Sequence, residues 1–215
     1  MDLERRAFVI SELRASGGKQ PRISGHAAVF NKLSDDLGGF REKVAPGAFK
    51  ESIRDGDVRA LWNHDPNFPL ARTTNKTLRL EEDEVGLKFE ADLLDEPFEA
   101  GLIRRIERGD VSQMSFGFMV LPDGQAWRME EGGLVRTLTK VELFDVSPVT
   151  YPAYPQTDVS VRELAVEMRK KFSAQDTEFA QRVKARADYI ASRTLPEDSL
   201  SLSAIIKSAS RKTGI

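Results

Sequence analysis

Val111-Ser112-Gln113-Met114-Ser115-Phe116-Gly117-Phe118-Met119-Val120 reads as a β-strand over Ser115–Val120. Bulky Met114 and Phe116 point one way, and Ser115 and Gly117 the other, at the period of two that a strand imposes. Working outward, similar short runs occur at Arg6–Val9, Ser24–Phe30, Val58–His64, Leu78–Leu80, Leu87–Ala91 and Val141–Val146. Turn-forming pairs separate them: Gly17-Gly18, Gly38-Gly39, Asp55-Gly56, Asp65-Pro66, Asp123-Gly124 and Gly132-Gly133. Many short strands punctuated in this way point to an antiparallel barrel or sandwich. Two helices interrupt them, at Pro46–Arg54 and Pro97–Arg108. In the second, Phe98, Leu102 and Ile106 recur at helical spacing and Gly109 closes the run. The expected class is mostly β with flanking helices (α+β).

The pattern changes after Pro155. Val161, Leu164, Ala165, Met168 and Phe172 keep helical spacing, and Phe179, Val183, Ala187 and Ile190 continue it up to Pro196. The expected organisation is therefore a domain over 1–158 and an amphipathic, partly mobile helical tail over 159–215. Charge divides along nearly the same line. From Arg162 onward there are 11 Lys+Arg and 7 Asp+Glu, a net of +4; the whole chain has 32 and 34, so the body before it carries −6. An acidic body with a basic tail suggests two jobs for two segments.

The 215 residues are 40% hydrophobic and 31% charged, an ordinary globular composition. The absence of cysteine excludes disulfides, thiolate metal sites and cysteine nucleophiles. His26 and His64, the only two histidines, are too few for a histidine-rich metal site, so neither metal nor cofactor is expected. No apolar run approaches the roughly 20 residues that cross a bilayer, and the charged start (Asp2, Glu4, Arg5, Arg6) lacks a signal-peptide core. Synthesis inside the cell, with no membrane or nucleic-acid partner, is expected.

Among residues able to do chemistry, His64 ends the run Val58–His64, before the turn Asp65-Pro66. An imidazole held at a strand end can serve as a general base; the plainer alternative is a structural histidine bonded to Asp65 or to backbone. Ser115 lies beside Gly117, whose missing side chain leaves room for a substrate backbone to approach the hydroxyl. The alternative is a buried serine satisfied by its neighbours. Ser112, just after Gly109-Asp110, reads as a turn residue and is the weaker nucleophile. Asp145 lies in an apolar run, where an unpaired carboxylate is costly, so it needs a partner; the His64 imidazole is an economical one. Glu142, on the opposite face by parity, is the reserve. Arg72 could support a substrate carbonyl or an oxyanion, or form a surface ion pair. His26 reads as structural, and Glu81-Glu82-Asp83-Glu84 as solvated charge. Phosphate-binding loops, a G-x-S-x-G elbow and H-E-x-x-H are all absent.

Three ordered segments then narrow the reading: Leu61-Trp62-Asn63-His64-Asp65, Met114-Ser115-Phe116-Gly117-Phe118, and Asp145-Val146-Ser147-Pro148-Val149-Thr150-Tyr151-Pro152-Ala153-Tyr154. With Gly25-His26-Ala27-Ala28-Val29-Phe30 and Val44-Ala45-Pro46-Gly47-Ala48-Phe49, the set over roughly residues 5–162 resembles the prohead (capsid maturation) proteases of HK97-like tailed bacteriophages. The resemblance implies a small closed β-barrel of the herpesvirus-protease type. It also implies a serine endopeptidase with Ser115 as nucleophile, His64 as base and Asp145 as acid. Its setting would be the immature capsid in a bacterial host, phage-borne or prophage-encoded. Its partners would be the major capsid protein, the scaffolding segment and the enzyme itself, with a homo-oligomer allowed. A non-catalytic capsid scaffold or chaperone of the same fold, or a small-molecule esterase, are the competing readings.

Overall fold

The computed structural model describes residues 3–8, 13–18, 20–151, 164–174 and 181. In chain order the elements are β1 (Glu4–Phe8), β2 (Arg14–Ser16), β3 (Arg22–Val29), β4 (Arg41–Val44), α1 (Lys50–Asp55), β5 (Arg59–Trp62) and β6 (Asp65–Arg72). They continue as β7 (Leu78–Glu82), β8 (Gly86–Asp92), α2 (Pro97–Arg108), β9 (Gln113–Val120), β10 (Gln125–Glu130), β11 (Gly133–Leu138) and β12 (Val141–Val149). The chain is mostly β with a few helices. α2 has the bounds its apolar spacing predicts: Pro97 starts it, Leu102, Ile103 and Ile106 are buried, and left-handed Gly109 ends it. α1 begins later than expected, because Pro46–Phe49 form a turn in which the Gly47 and Phe49 N–H groups donate to the Glu82 carboxylate at 2.8 and 2.9 Å. Glu82 and Asp83 are thus structural acceptors rather than solvated charge; Asp83 meets His26 Nε2 at 2.9 Å.

The strands form three sheets, in the orders β1-β9-β12-β5-β6, β2-β3-β8-β7 and β10-β11-β4. Most pairs are antiparallel; β12–β5 and β11–β4 are parallel. A closed barrel was expected, and among the described residues the sheets remain open. β6 packs on β7 and β8, and β1 and β9 on β3, without a hydrogen-bonded ladder. β6 lies at an edge and carries Pro66 and Pro69, whose ring nitrogens cannot donate, which suits an edge strand. The core between the sheets is built around Ile23, Phe49, Leu87, Phe89, Met114, Phe116 and Phe118, with Phe49 edge-on to Phe116 at 5.4 Å. Burying each such side chain contributes about 1.5–3 kcal/mol, and this fixes β9 as a central strand with Met114, Phe116 and Phe118 facing inward.

The chain divides into two compact units, Met1–Arg169 and Lys170–Ile215. Residues 164–174 are helical, with Ala165 buried, in keeping with the predicted amphipathic spacing there. The expected continuation through Phe179, Val183, Ala187 and Ile190 lies outside the described residues.

Candidate active site

β9 and β12 run antiparallel, and their register assembles one polar patch: Ser147 opposes Ser115, and Asp145 opposes Gly117. Directly opposed residues share a face, so all four lie on the side of β9 away from Met114, Phe116 and Phe118. A bulge makes this possible. Leu143 opposes Phe118 and Asp145 opposes Gly117, leaving Phe144 as the extra residue. Without it, Asp145 would fall opposite Phe116 on the apolar face. The same bulge cancels the expected parity difference with Glu142, which opposes Met119 and is exposed.

His64 arrives from the neighbouring hairpin. Trp62 pairs with Asp65, so Asn63 and His64 are the two turn residues, with φ of 52° and 59°. Two positive φ values in a two-residue loop are the signature of a type I′ hairpin turn. His64 is therefore in the turn rather than at a strand end, and Asp65-Pro66 begins β6 instead of forming the turn. The end of β12 anchors the loop: Asn63 N–H donates to the Pro148 carbonyl at 3.1 Å, and Thr150 N–H donates to Asn63 Oδ1 at 2.9 Å. Asp65 is occupied elsewhere, accepting from Asn67 N–H at 2.9 Å.

The imidazole bridges the two other groups. Nδ1 lies 2.6 Å from Asp145 Oδ2 and Nε2 lies 2.7 Å from Ser115 Oγ. With the proton on Nδ1 donated to the carboxylate, Nε2 is free to accept the serine proton. The same Ser115 hydroxyl is also within donating distance of the Arg6 carbonyl, at 2.9 Å. Ser115 is 0% exposed, and the His64 and Asp145 side chains are 7% and 8% exposed, so the coupling operates away from bulk water.

Gly117 and Arg72 depart from the roles expected of them, and Ser112 keeps its expected place as a turn residue. Gly117 does not leave open space: a Cβ there would stand 2.4 Å from Asp145 Oδ1, so its missing side chain admits the acid rather than a substrate. Arg72 does not join the three residues. Its exposed guanidinium grips Asp57 at 2.7 and 2.5 Å, a surface ion pair that holds the Asp57 carboxyl down at about 2, with Arg59 adding to the effect. Ser112 is exposed in the loop before β9 and takes no part. One residue of the patch was missed by the sequence reading. Ser147, fully buried, donates to Asp145 Oδ2 at 2.6 Å. Its position two residues from Asp145 in the quoted motif was the available signal. Among the described residues no group of three or more His, Asp or Glu side chains is placed to hold a metal, and no helix is long and apolar enough to cross a membrane.

No curated protein matches the chain. Among solved structures it is similar to the bacteriophage T4 capsid assembly protease gp21, at 11% identity and a TM-score of 0.47, over 68% of this chain and 96% of that one. A family model described as caudovirus prohead serine protease matches residues 9–172, a span that contains His64, Ser115 and Asp145. The chain belongs to the caudovirus prohead serine protease family.

Proposed function

We propose that this protein is the endopeptidase that matures a phage prohead, with Ser115 as nucleophile, His64 as general base and Asp145 as the acid that orients it. The observation that carries this reading is the chain of contacts from Ser115 Oγ through His64 to Asp145, at 2.7 and 2.6 Å. His64 Nε2 takes the hydroxyl proton as Oγ attacks a peptide carbonyl, and the imidazolium formed is stabilised by Asp145. The tetrahedral intermediate collapses to an acyl-enzyme as His64 returns that proton to the departing amine. Water, deprotonated by the same imidazole, then releases the acid product and restores Ser115.

The substrates we assign are the scaffolding protein, or the scaffolding domain of the major capsid protein, and the enzyme itself, inside the immature capsid in the host cytoplasm. Segment 159–215, basic and amphipathic, is assigned the role of docking the enzyme in the growing shell. The test is co-expression with the capsid protein of the same phage, comparing wild type with Ser115→Ala. Capsid-protein or scaffold fragments that appear only with the wild type support the reading. Intact partners in both, with assembly unimpaired, favour a non-catalytic scaffold.

A further inference from the structure

Ser147 and Gly117 flank the acid from two sides. Asp145 lies within an apolar strand, buried, where a carboxylate is held only if its oxygens are matched. Oδ2 receives two donors, His64 Nδ1 and Ser147 Oγ, each at 2.6 Å. Oδ1 occupies the place that a side chain at Gly117 would take, 2.4 Å from the position of its Cβ. Ser147 is fixed in turn: it is fully buried and opposes Ser115 across the ladder.

We propose that Ser147 and Gly117 are positioning residues that together seat the Asp145 carboxylate against His64: Ser147 by donating to Oδ2, Gly117 by vacating the space for Oδ1. The idea rests on the assignment of Ser115, His64 and Asp145 above. Neither residue touches the peptide being cut; both act through the acid. With the Ser147 hydroxyl gone, Oδ2 keeps only the imidazole, and the carboxylate gains freedom to rotate away from it. A methyl group at position 117 displaces Oδ1 directly, since Asp145 and Gly117 are neighbours on rigid backbone.

The experiment measures the rate at which an alkyl fluorophosphonate modifies Ser115 in the full-length protein, by intact mass, resolved into the maximal rate and the half-saturating probe concentration. Ser147→Ala and Gly117→Ala are each expected to lower the maximal rate roughly tenfold or more, the scale of one hydrogen bond to a charged group, while half-saturation stays unchanged. In an Asp145→Ala background neither substitution is expected to slow the reaction further, because the group through which they act is gone. Wild-type rates in both single variants overturn the proposal, and so does an equal loss with Asp145 already removed, which is the result of a merely structural role. If one single variant does not fold, the other still decides, as their mechanisms are independent. Labelling that persists in Ser115→Ala overturns the underlying assignment instead, and is told apart by that control.

Discussion

Asn63 and His64 hold backbone conformations that side-chain-bearing residues seldom adopt, and that turn places the His64 ring. A positive φ at a non-glycine residue costs on the order of 1–3 kcal/mol and persists where surrounding contacts enforce it. Here they are the bonds from Asn63 to Pro148 and Thr150. Asparagine tolerates the left-handed region better than alanine and supplies the Oδ1 acceptor. Asn63→Ala is therefore expected to lose about 1–2 kcal/mol of stability and to slow Ser115 modification about tenfold or more, because the turn no longer holds His64 over Ser115. Denaturant unfolding and probe labelling check the two effects; an unchanged labelling rate in a folded variant contradicts this account of the turn. That His64, Ser115 and Asp145 come into contact was legible from residue type and motif. The turn was not: Asn-His lacks the glycine that marks most type I′ loops, and the following Asp-Pro carried the stronger turn signal. Ser147 went unread because its place two residues from Asp145 points to that partner only once the face of Asp145 is known.

Strand parity fails at β12, where one bulged residue moves Asp145 from the core face to the face of Ser115, and no local pattern in Val141–Val149 announces it. A second element-level feature was equally hidden. Glu4 and Arg6 on β1, Glu42 on β4 and Arg136 on β11 form a buried lattice of two acids and two arginines, with contacts of 2.6–2.9 Å. It fastens β1, whose Arg6 carbonyl stands beside Ser115 Oγ, to the three-stranded sheet. The parallel pairing of Arg136 with Glu42 joins positions 94 residues apart, so short-range periodicity cannot reveal it. Burial pushes the Glu4 carboxyl up, but bonds and charge from Arg136 and Arg6 outweigh it, and the net direction is down. A carboxylate depressed in the folded state adds stability above its unfolded value of about 4.3, and that stability is lost as pH falls through the lower folded value. Glu4→Gln is thus expected to be less stable than wild type at pH 7 and to lose less of its remaining stability between about pH 5 and pH 3. Parallel denaturation curves across that range contradict the depressed carboxyl.

At the scale of the chain, the mostly β class and the order of the chemical motifs were readable from sequence, whereas the openness of the sheets among the described residues was not. Closure depends on whether edge strands such as β6 find partners, which is a matter of tertiary placement. The division of charge at Arg162, +4 after it and −6 before, remains the basis for assigning the tail a separate task. Removing residues 170–215, the second compact unit, is expected to leave labelling of Ser115 close to the wild-type rate while abolishing copackaging with the capsid protein. Copackaging that survives the deletion removes the docking role.

The central claim, a peptidase centred on Ser115, is tested most directly by incubating the purified full-length protein for hours and following its intact mass beside Ser115→Ala. Loss of discrete fragments by the wild type, with Ser115→Ala unchanged under the same conditions, is the predicted result. Identical trimming of both proteins would contradict it, since the cleavage would then owe nothing to the Ser115 hydroxyl.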